Sequence, residues 1–76
     1  MKIELPVIKK GSSGEEVRTA QRLLKSMGYK GKDGKALSTD GRYGTNTDYA
    51  VRNYQSAEGL DSDGVVGAKT WEHLLK

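Results

Sequence analysis

The chain has no cysteine, so neither a disulfide nor a thiolate metal site can brace it. This leaves the compartment open, because a surface domain can also fold without disulfides. It also has no phenylalanine, and only one proline, one tryptophan and one histidine. A catalytic zinc takes about three protein ligands, and one histidine among scattered carboxylates is poor material for that. No cysteine nucleophile exists and no Ser-His-Asp set is suggested, so neither catalysis nor a cofactor is expected. No apolar run approaches the ~20 residues that span a bilayer, so no membrane partner is expected. The opening "MKIELPVIKK" is too briefly apolar for a signal peptide and lacks a small-residue cleavage site.

What remains is small and polar. At 76 residues the chain is one domain. Folding at this size removes only ~60 % of the surface of the unfolded chain, so the core must be small. Aliphatic residues are few enough to approach the range of disordered chains, but the net charge is only +3. Clear helical periodicity decides for a folded domain. The positive sign favours anionic surfaces without choosing among nucleic acid, lipid and wall polymers.

Three helices are predicted and no convincing paired strands. "GSSGEEVRTAQRLLKSMG" places Val17, Ala20, Leu23, Leu24 and Met27 at steps of three and four. Glu15 and Glu16 suit its first turn, Lys25 its last, and Gly28 its end. "GTNTDYAVRNYQSAEG" carries Ala50, Val51, Tyr54 and Ala57 on one face and stops at Gly59. "AKTWEHLLK" turns Trp71, Leu74 and Leu75 inward. Before them, residues 1–6 (with weak alternation through Ile3, Leu5 and Val7) read as a linker, and Ile8 as the first residue to pack. Between the first two helices, "YKGKDGKALSTD" is expected to be an exposed loop that reverses tightly at Lys32–Lys35. His73 is expected to be a partly exposed surface residue.

One phrase is written twice: "DGRYGTNT" from Asp40 and "DGVVGAKT" from Asp63. Each helix start follows G-x-x-G, at Gly11–Gly14, Gly41–Gly44 and Gly64–Gly67. Glycine reaches positive φ freely and is an acceptable N-cap. An aspartate before it can bond the backbone N–H two residues on. The repeat therefore reads first as turn chemistry for starting helices. "DSDG" does not make a calcium loop, because Thr70 stands where such a loop needs a carboxylate.

The order "GSSGEEVRTAQRLL", "GY", "DGRYGTNTDYAVRNYQ" and "GLDSDGVVGAKTWEHL" resembles the three-helix peptidoglycan-binding domain of bacterial and phage cell-wall hydrolases. The resemblance covers residues 7–75. It departs at Ala20, where the family often has leucine, at Tyr43 and Tyr54, where it often has phenylalanine, and in a longer Lys30–Thr39 loop. The pro-segment of matrix metalloproteinases shares the fold but carries a cysteine switch that this chain lacks. The resemblance implies an all-α compact three-helix bundle over residues 7–76. It implies a non-catalytic, monomeric module that anchors a linked catalytic hydrolase domain to peptidoglycan at the cell wall, outside the cell. The alternative is a protein-interaction module of the same fold without wall binding.

Peptidoglycan offers N-acetylated sugars and stem peptides with carboxylates. A helix start with bare N–H groups suits a carboxylate. Arg42, the variable position inside the first turn, should project outward and meet one. Tyr49 lies roughly 160° around its helix from Val51, hence exposed, with Asn46 and Asn53 on its side. The candidate ligand-binding residues are therefore Tyr29, Asp40, Arg42, Tyr43, Asn46 and Tyr49, around a groove between the Asp40–Asn46 turn, the second helix start and the lysine loop. Tyr29 is expected to cover the core edge. Tyr43 is expected to bury its ring while its hydroxyl reaches solvent. Gln21 and Gln55 are read as structural, bonding loop backbone. No nucleic-acid partner is expected, because the basic residues do not line one recognition helix.

Overall fold

A computed structural model describes residues 5–76. Ile3 and the first four residues of the expected linker lie outside that range. Helix α1 spans Glu15–Ser26, α2 spans Thr45–Ala57 and α3 spans Ala68–Leu74. Among the described residues no strand forms, and only isolated antiparallel bridges occur, at Ile8–Val66, Ser13–Arg42 and Lys30–Ala36. Helix α1 packs against both other helices.

The helices begin and end as the sequence leads one to expect. Gly14, Gly44 and Gly67 are the N-caps, and none brings a side-chain cap. Glu15 and Glu16 oppose the dipole of α1, and Asp48 does so for α2. Both longer helices close with paired terminal hydrogen bonds: Gly28 N–H to Lys25 C=O and Tyr29 N–H to Leu24 C=O after α1, then Gly59 N–H to Ser56 C=O and Leu60 N–H to Gln55 C=O after α2.

The core gathers Ile8, Val17, Ala20, Leu24, Leu37, Tyr43, Ala50, Val51, Tyr54, Val66, Trp71 and Leu74. Three expected core residues are exposed instead. Met27 and Leu75 are 44 % and 54 % exposed, and Ala57 is also exposed. Each lies in the last turn of its helix or just past it, where the bundle no longer covers the stripe. Gln21 and Gln55 are buried as well, although both are polar. The lysine loop reverses at Lys32–Lys35 as expected, with Gly34 N–H bonded to Gly31 C=O and Gly31 N–H to Lys35 C=O. It is not wholly exposed, however, because Leu37 is a core residue. His73 is half-buried with Nδ1 3.0 Å from Glu58 Oε1.

The three helix starts are brought to one region by hydrogen bonds between their loops. Tyr43 N–H bonds Ser12 C=O, Gly11 N–H bonds Tyr43 C=O, and Gly14 N–H bonds Gly41 C=O. Ile8 and Val66 exchange two backbone bonds, and the Trp71 indole donates to Pro6 C=O at 2.9 Å. The N-terminal arm, the turn before α2 and the turn before α3 are thereby fixed against one another.

Candidate functional site

The turn before α2 is built around one buried side chain. Gln21, on α1, accepts from Gly41 N–H at 2.8 Å. Its amide nitrogen donates to Arg42 C=O at 2.9 Å, Thr47 Oγ1 at 2.9 Å and Asp40 Oδ1 at 3.2 Å. Asp40 Oδ1 also accepts from Arg42 N–H at 2.9 Å. These donors favour the ionised form. The Arg42 N–H first, and then the Gln21 amide, hold the Asp40 carboxyl below its usual value of 3.8. Asp40 thus fixes the turn, and its charge faces solvent.

The turn before α3 repeats this arrangement. Gln55 accepts from Gly64 N–H at 3.0 Å and donates to Val65 C=O, Thr70 Oγ1 and Asp63 Oδ1. Asp63 accepts from Val65 N–H at 2.9 Å. The doubled phrase is therefore half of a clasp, and the other half is a glutamine on the preceding helix. Reading both glutamines as structural holds. Thr47 and Thr70, buried acceptors in the clasps, were missed as contributors, although threonine closes both copies of the phrase.

The first turn borders a concavity of about 190 Å³, whose lining includes Leu37, Ser38, Asp40, Arg42, Asn46 and Thr47. It is smaller than pockets that enclose a drug-sized ligand, at ~300 Å³ and above, so it suits one end of a longer molecule. The uncapped start of α2 lies here, with Gly44 and Thr45 also in the wall. Arg42 is exposed, and its guanidinium makes no hydrogen bond or ion pair among the described residues. Asn46 latches the lysine loop: its Oδ1 accepts from Lys32 N–H at 3.0 Å, and its amide approaches Asp33 Oδ2 at 3.4 Å. The loop comes so close that a Cβ on Gly31 would lie 2.8 Å from the Asn46 side chain.

Of the six candidate residues, the structure brings Asp40, Arg42 and Asn46 together at this concavity. The three tyrosines lie elsewhere. Tyr49 is 43 % exposed on the outer face of α2, as expected. Tyr29 is half-buried at the core edge, its ring edge-on to Tyr54 at 5.5 Å. Tyr43 is buried, and its hydroxyl does not reach solvent: it donates to Gly64 C=O at 2.6 Å. Burial first, and the nearby Asp48 charge second, push its phenol well above the usual 10.0. The loop contributes Leu37 and Ser38 to the wall rather than its lysines.

Residues 13–74 match the family described as peptidoglycan binding domain. The chain is 45 % identical over 71 residues to the spore cortex-lytic enzyme of Bacillus cereus, covering 92 % of this chain and 25 % of that protein. It is 42 % identical over 69 residues to a zinc D-Ala-D-Ala carboxypeptidase of Streptomyces albus G, covering 91 % and 26 %. The chain thus spans about a quarter of the length of these relatives. A crystal structure of the SleB N-terminal domain superposes with a TM-score of 0.84 at 38 % identity, covering 97 % of this chain and 94 % of that one.

Proposed function

From the chain's membership of the peptidoglycan-binding domain family, we propose that it is a monomeric, non-catalytic module holding a linked cell-wall hydrolase on its substrate, and that the concavity at Arg42 grips a stem-peptide carboxylate. Residues 7–76 form the binding unit and the residues before it the lead-in. The match to only a quarter of each lytic relative supports a targeting role beside a separate catalytic domain. The work of such a module is done at the cell wall.

The observation that carries the site is the free guanidinium of Arg42 beside the uncapped start of α2. Arginine presents a planar fork that matches a carboxylate, and helix-start N–H groups favour the same charge. Tyr49 lies one turn beyond Asn46 on the same side of α2, where its exposed ring offers a stacking face for an adjoining sugar. Tyr43 supports the site from behind by joining its turn to the next one.

Co-sedimentation with purified sacculi tests this reading. Arg42→Ala is expected to weaken binding about tenfold, the worth of one charge-assisted hydrogen bond. Tyr49→Ala is expected to weaken it less. Unchanged sedimentation of the double variant, with the helical circular-dichroism signal intact, would overturn the assignment.

A further inference from the structure

The repetition of the clasp has a counterpart in the surface. The turn before α3 borders a second concavity, of about 280 Å³, larger than the first. The two are built from matching positions: Asp40 and Asp63, Arg42 and Val65, Asn46 and Lys69, Thr47 and Thr70. The latch is where they differ. Asn46 bonds the lysine loop, whereas the Lys69 side chain makes no hydrogen bond among the described residues, and the chain reaches the turn by the short path through Leu60 and Asp61.

The chemistry of the second concavity is bipolar. Asp63 is occupied by Val65 N–H and Gln55, but Asp61 has no partner among the described residues. Lys69 is likewise in no ion pair among them, and the two are not paired with each other. An unpaired carboxylate and an unpaired ammonium thus border one concavity whose remaining wall includes the apolar Leu60, Val65 and Ala68. The first concavity has Ser38 where this one has Asp61, so the second carries a carboxylate beyond the one that fixes its turn, and that added carboxylate has no partner among the described residues.

We propose that this concavity is a second binding subsite, which takes the bipolar end of a stem peptide, a free amino group beside a free carboxylate on a short aliphatic stem. Asp61 receives the amino group and Lys69 the carboxylate, while Leu60 and Val65 cover the methylenes. The domain then grips the wall at two points fixed relative to one another, because the Tyr43 hydroxyl ties the first turn to Gly64 in the second. The proposal rests on the reading of the chain as a wall binder, but not on the role of Arg42.

The test is an NMR titration of the whole ¹⁵N-labelled chain with the soluble tripeptide L-Ala-γ-D-Glu-diaminopimelate, and with the same peptide acetylated on its side-chain amine. The expected result is a set of shifting amides at residues 60–70 that saturates separately from any set at residues 38–47. Acetylation is expected to weaken the 60–70 set about tenfold and to spare the other. Asp61→Asn with Lys69→Gln is expected to abolish the 60–70 set; both residues are exposed, so the fold is retained. Shifts at 38–47 alone would overturn the second subsite and leave the Arg42 site standing. Shifts at 60–70 alone would uphold it and overturn the Arg42 site, and no shifts at all would overturn both. Persistence of the 60–70 set in the double variant would also overturn it.

Discussion

Gln21 on α1 and Gln55 on α2 make the same set of hydrogen bonds to the turns that start the next helices, each accepting from a glycine N–H and donating to a carbonyl, a threonine and an aspartate. In a domain with so little apolar core, these buried amides do what further core packing does elsewhere. They orient two turns so that their outer faces become concavities.

Replacing either glutamine is therefore expected to be severe. Gln21→Ala orphans the buried Gly41 N–H, while the Arg42 carbonyl keeps Gly44 N–H and the Thr47 hydroxyl, for a loss of about 2 kcal/mol. That is a large share of the ~5 kcal/mol typical of the least stable domains. Gln55→Glu keeps an acceptor for Gly64 N–H but turns a carboxylate toward the Asp63 carboxylate and the Val65 carbonyl. Its folded-state pKa is raised by that burial and charge, so its penalty is expected to be larger at pH 7 than at pH 4. Urea denaturation at the two pH values measures both effects.

The helices were legible because their signals are local: periodic apolar stripes, glycine starts and glycine stops. The clasps were half legible. Asp-Gly and the closing threonine repeat visibly, but the glutamine that completes each clasp lies on another helix, and only the resemblance drew attention to it. Met27, Ala57 and Leu75 were misplaced because periodicity shows which face is apolar and not where the neighbouring helix ends. Leu37 was missed because it sits in a glycine- and lysine-rich loop with no period. Exposure of Arg42 and Tyr49 could be read from position within the turn and the helix.

Asp40 gives the domain a sensitivity to acid. Its carboxyl is held below 3.8 in the folded state by the Arg42 N–H and the Gln21 amide. A depressed folded-state pKa contributes stability that is full above the unfolded value and is lost as pH falls through the folded one. The difference in melting temperature between the wild type and Asp40→Asn is expected to be largest near neutral pH and to shrink below about pH 4. A constant difference down to pH 2 would show that the aspartate acts only by its shape.

Tyr43 imposes the opposite limit. Its buried phenol donates to Gly64 C=O, and its raised pKa means that folding favours the neutral form. That stabilisation is full below the unfolded value of 10.0 and is lost as pH rises above it. Tyr43→Phe leaves the Gly64 carbonyl without its partner and is expected to cost about 1–3 kcal/mol at pH 7. Part of that cost should disappear above pH 10, where the wild type weakens and the variant has no phenol to ionise. Thermal melts from pH 7 to pH 11 follow the convergence.

Gly64 and Gly34 share nearly the same backbone conformation, with φ of +74° and +77°. For a residue with a side chain, that region costs roughly 1–2 kcal/mol. Their surroundings differ. A Cβ on Gly34 would meet nothing, so Gly34→Ala is expected to lose only that conformational cost, reduced by the lower freedom of the unfolded alanine chain. A Cβ on Gly64 would collide with Asp48 Oδ1 and press on the Arg52 guanidinium. Those two side chains form an ion pair at 3.0 Å, and Arg52 also donates to Ser62 C=O at 3.1 Å. Gly64→Ala must therefore displace the pair that braces the turn from α2, as well as strain the backbone. Its loss in urea midpoint is expected to be at least twice that of Gly34→Ala. Equal losses would mean that Asp48 and Arg52 give way freely and do not brace the turn. The functional consequence would separate the two further. Gly34 lies at neither concavity, so Gly34→Ala is expected to keep wild-type binding to sacculi, whereas Gly64→Ala disturbs the turn beside Asp61 and is expected to weaken it.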